Sequence, residues 1–175
     1  MAIIYIHGFG SSGMSDTAKM LREVYPSLTA PTYDASRPSE SLDSLIRLID
    51  SIDDEDIIIV ASSLGGWYAE EIAKRRVVDL VLFNPAITPS TTLAKLGVPP
   101  KVLDDYDRIS TLKEPSNSAR RYVVLSTDDI LIDYTLSKAK YEGRASVEYV
   151  TGGHRMTAKH IPTLVTRIDY LRYSF

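Results

Sequence analysis

Short apolar runs alternate with longer amphipathic stretches along this chain. Five of the runs read as strands: Ala2–Ile6, Asp56–Ala61, Val78–Phe83, Arg121–Ser126 and Ser146–Val150. Ser27–Tyr33 gives a weaker sixth. Ile57-Ile58-Ile59-Val60 is continuously apolar and β-branched, which suits a strand covered on both faces of a parallel sheet. Val147-Glu148-Tyr149-Val150 is mixed, which suits a strand nearer the sheet edge. Between the strands the apolar period becomes helical. Leu64, Trp67, Tyr68 and Ile72 share one helix face, with Glu70, Glu71, Lys74 and Arg75 expected on the other. Lys74, Arg75 and Arg76 stand where that helix's dipole favours cations. Ser39–Ile52 reads as a helix through Leu42, Leu45, Ile46 and Ile49. Thr163–Tyr173 reads as the last one, with Pro162 suited to its first turn. This alternation predicts an α/β fold with a mostly parallel sheet of about six strands flanked by helices. One stretch breaks the rhythm. Residues 86–118 hold no clear strand, and five of the nine prolines lie between Pro85 and Pro115. A short lid-like insertion over a pocket is the expectation there.

Composition narrows the classes. The 175 residues suit one domain spanning 1–175, with a core large enough to fold alone. A net charge of −3, with Lys and Arg scattered, offers no phosphate-binding face, so nucleic acid is not an expected partner. With no cysteine there is neither a disulfide nor a thiolate nucleophile. No apolar run reaches the ~20 residues of a membrane span. The opening residues run straight into a strand rather than a basic, apolar leader, so a cytoplasmic location is expected.

The strongest chemical signal lies between Ile57 and Trp67: an apolar strand, a turn of small residues, then an amphipathic helix. A nucleophile elbow needs this context, because its serine occupies a strained turn that pushes Oγ outward. Ala61 and Gly65 stand two residues either side of Ser63, where the usual Gly-x-Ser-x-Gly pattern has glycines. Ser62 would instead be flanked by Val60 and Leu64, which are too bulky. Ser63 is therefore the candidate nucleophile, although serine also serves as a plain helix cap.

A serine needs a base. His154, in Thr151-Gly152-Gly153-His154, follows the last strand candidate and is the choice. His160 reads as a surface or core residue and His7 as a support for its loop. The acid should lie between nucleophile and base in the chain order Ser…Asp/Glu…His. Asp128, Asp129 and Asp133 compete there. Asp133 reads as a helix cap, Asp129 is preferred for its spacing to Ile132, and Asp128 stays open. An oxyanion hole would take the N–H of Leu64 and one from His7-Gly8-Phe9-Gly10, most simply Phe9. Gly8 and Trp67 are candidate substrate contacts.

The same opening loop spells Gly-x-Gly-x-x-Gly at Gly8, Gly10 and Gly13, with Asp34 further on, so a dinucleotide-binding protein is the main rival. Against it, the next helix is expected to start only near Ser15. No metal-ligand spacing is visible, and the hydrolase reading needs no cofactor. A binding protein without catalysis on the same fold is the other rival.

Tyr5-Ile6-His7-Gly8-Phe9-Gly10-Ser11-Ser12, Ala61-Ser62-Ser63-Leu64-Gly65-Gly66-Trp67-Tyr68-Ala69, Phe83-Asn84-Pro85-Ala86, the Asp129 loop and Gly152-Gly153-His154 occur in this order. Together they resemble the YqiA-like family of small bacterial esterases, over almost the whole chain. The resemblance implies a minimal α/β-hydrolase and hydrolysis of a small carboxylic ester or thioester. An amide hydrolase or acyltransferase is the alternative on the same site. It maps the family's serine, acid and histidine to Ser63, Asp129 and His154. Asp128 stands where the family usually has glycine, and Thr88–Ser118 matches poorly, so substrate choice does not transfer.

Overall fold

A computed structural model describes residues 1–111 and 119–173. Five strands form one wholly parallel sheet in chain order: β1 (Ala2–Ile6), β2 (Ile57–Ser62), β3 (Asp79–Phe83), β4 (Arg121–Ser126) and β5 (Ser146–Val150). The helices are α1 (Asp16–Val24), α2 (Pro38–Asp50), α3 (Leu64–Ala73), α4 (Pro89–Ala94), α5 (Pro100–Ser110), α6 (Tyr134–Tyr141) and α7 (Ile161–Tyr173). A single 3-10 turn, Ala158–His160, leads into α7.

The period-two geometry of each strand divides the core between two faces. Ile4, Ile6, Ile57, Ile59 and Ala61 face α2, α3 and α5. Ile3, Tyr5, Ile58 and Val60 face α1 and α7. Every residue of β2 is buried, as its unbroken apolar run predicts, whereas β5 lies at the edge and is half-exposed.

The sixth strand expected at Ser27–Tyr33 does not form. Thr29 alone pairs with the outer edge of β1, donating to the Ile3 carbonyl at 3.0 Å and accepting from the Tyr5 N–H at 2.8 Å. Pro31 has no N–H to extend the ladder, and Pro26 closes it on the other side.

A second expectation is also corrected. All ten residues of α3 are buried, Glu70 and Glu71 among them, so this helix has no solvated acidic face. Glu70 is held by the Arg121 guanidinium at 3.1 Å and the Tyr141 hydroxyl at 2.9 Å. Glu71 is held by Lys74 and Arg75. Buried carboxylates persist only with such partners.

Within the 86–118 segment, α4 and α5 are helical, and α5 packs Tyr106 fully into the core against Trp67 and Tyr68. Residues 112–118, the end of the expected insertion, lie outside the described residues.

Candidate active site

In a parallel sheet the loops after the strands converge at one edge. Here all five strands deliver something to it: Gly8 and Phe9 after β1, Ser63 after β2, Asn84 after β3, Asp129 after β4 and His154 after β5.

Ser63 sits between β2 and α3 at φ 52°, ψ −122°, a conformation that side-chain-bearing residues avoid. The surroundings hold it there. Its N–H donates to the Phe83 carbonyl at 3.1 Å, and its carbonyl accepts from Gly66 and Ala86, each at 2.9 Å. The turn also depends on a missing side chain. A Cβ on Gly65 would stand 2.2 Å from the Ile6 carbonyl oxygen and 2.5 Å from that of His7. Ala61 beneath is fully buried. Gly8 lies over the serine, where a Cβ would come 3.1 Å from Ser63 Cβ, so its lack of a side chain keeps the approach open.

Ser63 Oγ is 2.9 Å from His154 Nε2, and His154 Nδ1 is 2.7 Å from Asp129 Oδ2. Asp129 Oδ1 accepts from the N–H groups of Leu131 at 2.8 Å and Ile132 at 3.0 Å. Burial works to raise the Asp129 pKa, but the bonds from His154, Ile132 and Leu131 outweigh it and hold the carboxyl below its ordinary value. It is therefore an anion facing Nδ1, which favours the proton on Nδ1 and a lone pair on Nε2, toward the serine.

The neighbouring aspartates do other work. Asp128 accepts from the N–H groups of Gly152 and Gly153 at 2.9 and 3.0 Å, tying down the loop that precedes His154; these bonds lower its pKa. Asp133 caps α6 by accepting from the Thr135 N–H at 2.9 Å.

His160 is a core residue. Its Nε2 meets the Thr151 carbonyl at 3.1 Å and its Nδ1 accepts from the Thr157 N–H at 3.1 Å. His7 is buried and stacked on Tyr33, with Nδ1 donating to the Gly8 carbonyl at 2.8 Å. Burial lowers its pKa against the opposing pull of that carbonyl, so it stays neutral. Ser62 Oγ pairs with the Tyr5 hydroxyl at 3.1 Å and reaches no histidine.

A cavity of about 700 Å³ opens beside Ser63 and His154, with Gly8, Phe9 and Leu64 in its wall. The N–H groups of Phe9 and Leu64 donate to no described residue. Leu64 begins α3, so its N–H also lies at the positive end of that helix. Trp67, expected at the substrate, lies in the core instead. Three residues into α3, it turns toward Tyr68 and Tyr106 and donates Nε1–H to Ser110 Oγ at 3.0 Å.

Asn84 stands in a segment that carries the family resemblance, but the sequence assigned it no role. Its side-chain amide donates to the carbonyls of Gly153 at 3.1 Å and His154 at 3.2 Å, and its Oδ1 accepts from the Ser126 N–H at 2.7 Å. It thus joins β3, β4 and the His154 loop. The available signal was an Asn-Pro pair closing a strand, since asparagine tolerates the positive φ, here 43°, that the turn demands.

The features of a dinucleotide fingerprint are absent from the opening loop. α1 starts at Asp16, and the space left by Gly13 admits the Ala30 carbonyl rather than packing a helix on the strand. Asp34 is engaged with the N–H and hydroxyl of Ser36. Among the described residues no cluster of His, Asp or Glu is arranged to hold a metal, and no helix is long and apolar enough to cross a membrane.

Residues 2–168 match the uncharacterised protein family UPF0227. A UPF0227 protein of Vibrio parahaemolyticus is 27% identical over 147 residues, 80% of this chain and 82% of that protein. One from Shewanella woodyi is 28% identical over 138 residues, 75% and 77% of the two chains. Among solved structures, mouse α/β-hydrolase domain-containing protein 10 superposes with a TM-score of 0.79 at 18% identity, covering 98% of this chain and 89% of that one. An esterase from Pyrococcus furiosus gives 0.72 at 13% identity, covering 97% and 80%. These likenesses establish the α/β-hydrolase fold.

Proposed function

The chain belongs to the UPF0227 family, and we propose that it is a serine hydrolase that cleaves a small carboxylic ester or thioester. One observation carries this reading: the unbroken line of hydrogen bonds from Asp129 through His154 to Ser63. The solved relatives include esterases, which agrees with it.

In this reading His154 Nε2 takes the Ser63 proton as Oγ adds to the substrate carbonyl. The N–H groups of Leu64 and Phe9 receive the oxyanion. Asp129 holds the imidazole and offsets the charge it gains. His154 then protonates the leaving group, which departs as the carbonyl re-forms. Water attacks the acyl-enzyme through the same base and restores Ser63. The chain's own groups and water suffice for each step. We take residues 1–175 as one cytoplasmic domain in which α4 helps to cover the cavity.

The test is labelling by a fluorophosphonate, read by mass spectrometry, beside turnover of short acyl esters. Wild type should be modified at Ser63 and hydrolyse the esters, while Ser63→Ala should do neither. Labelling at Ser62, or turnover surviving in Ser63→Ala, would refute the assignment.

A further inference from the structure

The cavity beside Ser63 has two unlike walls, because it lies across the sheet edge and draws on both faces of the fold. On one side, around α4, the lining residues Ala86, Pro89, Leu93 and Leu96 are apolar, with Thr92 the one hydroxyl-bearing residue among them. On the α1–α7 face the lining residues are Ser11, Ser15, Thr17 and Thr157 with Met20 and Met156. This second wall is continuous, since Thr17 Oγ1 donates to the Met156 carbonyl at 3.3 Å.

Two residues that carry charge line the cavity, Asp16 and Arg155. Asp16 already has a cation, with Lys19 Nζ 3.4 Å away. Arg155 follows His154 directly, is exposed, and bonds to no described residue.

The two walls make different demands on a ligand. An alkyl chain gains by covering the α4 wall. The other wall offers it less unbroken carbon, because Ser11, Ser15, Thr17 and Thr157 stand among Met20 and Met156. An unpaired guanidinium presents forked donors that match a carboxylate or phosphate. We infer that the substrate is an amphiphilic ester. An apolar chain on one side of the scissile bond lies along α4, and an anionic group on the other side is met by Arg155. This rests on the hydrolase reading and names its substrate class.

The test uses three anionic esters, each beside a neutral ester of matched length. Hexyl hydrogen succinate carries its charge on the acyl side. O-hexanoyl glycolate and 2-(hexanoyloxy)ethyl phosphate carry a carboxylate and a phosphate on the alcohol side. Proton release in a pH-stat gives kcat/KM for each.

At least one anionic ester should exceed its neutral counterpart, and the pair that does so identifies the anion and its side. Arg155→Gln should lower that anionic-to-neutral ratio about two- to fivefold, the effect of losing one solvent-exposed ion pair. Arg155→Glu should lower it further. A ratio is read because any general loss of folded enzyme cancels from it. Leu96→Ser should reduce the preference for hexyl over ethyl chains several-fold, and an unchanged preference would overturn the placing of the chain along the apolar wall of Ala86, Pro89, Leu93 and Leu96. Ratios at or below one for all three wild-type pairs, or ratios unmoved in both Arg155 variants, would overturn the role of Arg155. Labelling of Ser63 without turnover of any of these esters overturns this inference alone, whereas absence of both removes the hydrolase reading with it.

Discussion

Replacing Asp129 with asparagine isolates what, in the proposed mechanism, the acid does for the base. The carboxylate accepts from His154 Nδ1 at 2.7 Å on one oxygen, and from the N–H groups of Leu131 at 2.8 Å and Ile132 at 3.0 Å on the other. An asparagine has one oxygen, which the two backbone donors claim, so its NH₂ must face His154. Two donors cannot face each other, so Nδ1 must present its lone pair and the ring proton moves to Nε2. That nitrogen would then donate to Ser63 Oγ, whose proton it accepts in the proposed mechanism. In serine hydrolases this wrong tautomer costs about 10⁴ in kcat, or about 5.4 kcal/mol of barrier. Both backbone bonds survive, so the melting point should move by only about 2–4 °C. Asp128→Asn supplies the control. Its Oδ1 accepts from Gly152 and Gly153, and an amide oxygen can still do so, so the loss should stay under about tenfold. Steady-state hydrolysis of a p-nitrophenyl acyl ester, the rate of fluorophosphonate labelling and a thermal melt cover both variants. Equal small losses in the two, with Asp129→Asn still folded, would refute the tautomer argument.

Other consequences are as direct. Ser63→Gly should raise stability by about 1 kcal/mol while abolishing turnover, because glycine adopts φ 52° without strain; a urea midpoint at unchanged m-value checks it. Gly65→Ala should cost about 3 kcal/mol or more, or prevent folding, since its Cβ would fall 2.2 Å from a carbonyl oxygen; an unchanged denaturation curve would contradict this. Asn84→Ala frees the His154 loop from β3 and β4, so kcat should fall about ten- to a hundredfold with KM much less affected; a loss confined to KM would count against that role. The Asp129 carboxyl titrates below its ordinary value in the folded state, so its stabilisation is complete above about pH 4 and lost as pH falls through the folded value. The gap in melting point between wild type and Asp129→Asn should therefore close on acidification, and a gap constant from pH 6 to the acid limit would exclude this linkage.

The linear order of residues was enough to place the elements that local pattern specifies. The four β-branched residues at 57–60 have no polar position to turn toward water, so β2 had to be a covered strand. Small residues on both sides of Ser63, between that strand and a helix, described the elbow without any long-range knowledge. His154 was legible for a similar reason, standing after two glycines at the end of the last strand. What the sequence left open depended on directions in space. Asp128 and Asp129 have the same chemistry one residue apart, yet one carboxylate turns to the Gly152–Gly153 backbone and the other to the imidazole. Trp67 has the period of a site residue or a core residue, and only the packing of α5 assigns it to the core. Glu70 and Glu71 read as solvated until Arg121, Tyr141, Lys74 and Arg75 close around them. Asn84 lies 69 residues from Gly153, and no local pattern records a hydrogen bond over that separation. Hydrophobic period and turn chemistry act over a few residues and can be read in order along the chain. The side chains that share one edge of the sheet become neighbours only when the strands pair, so their partners were decided by the tertiary structure.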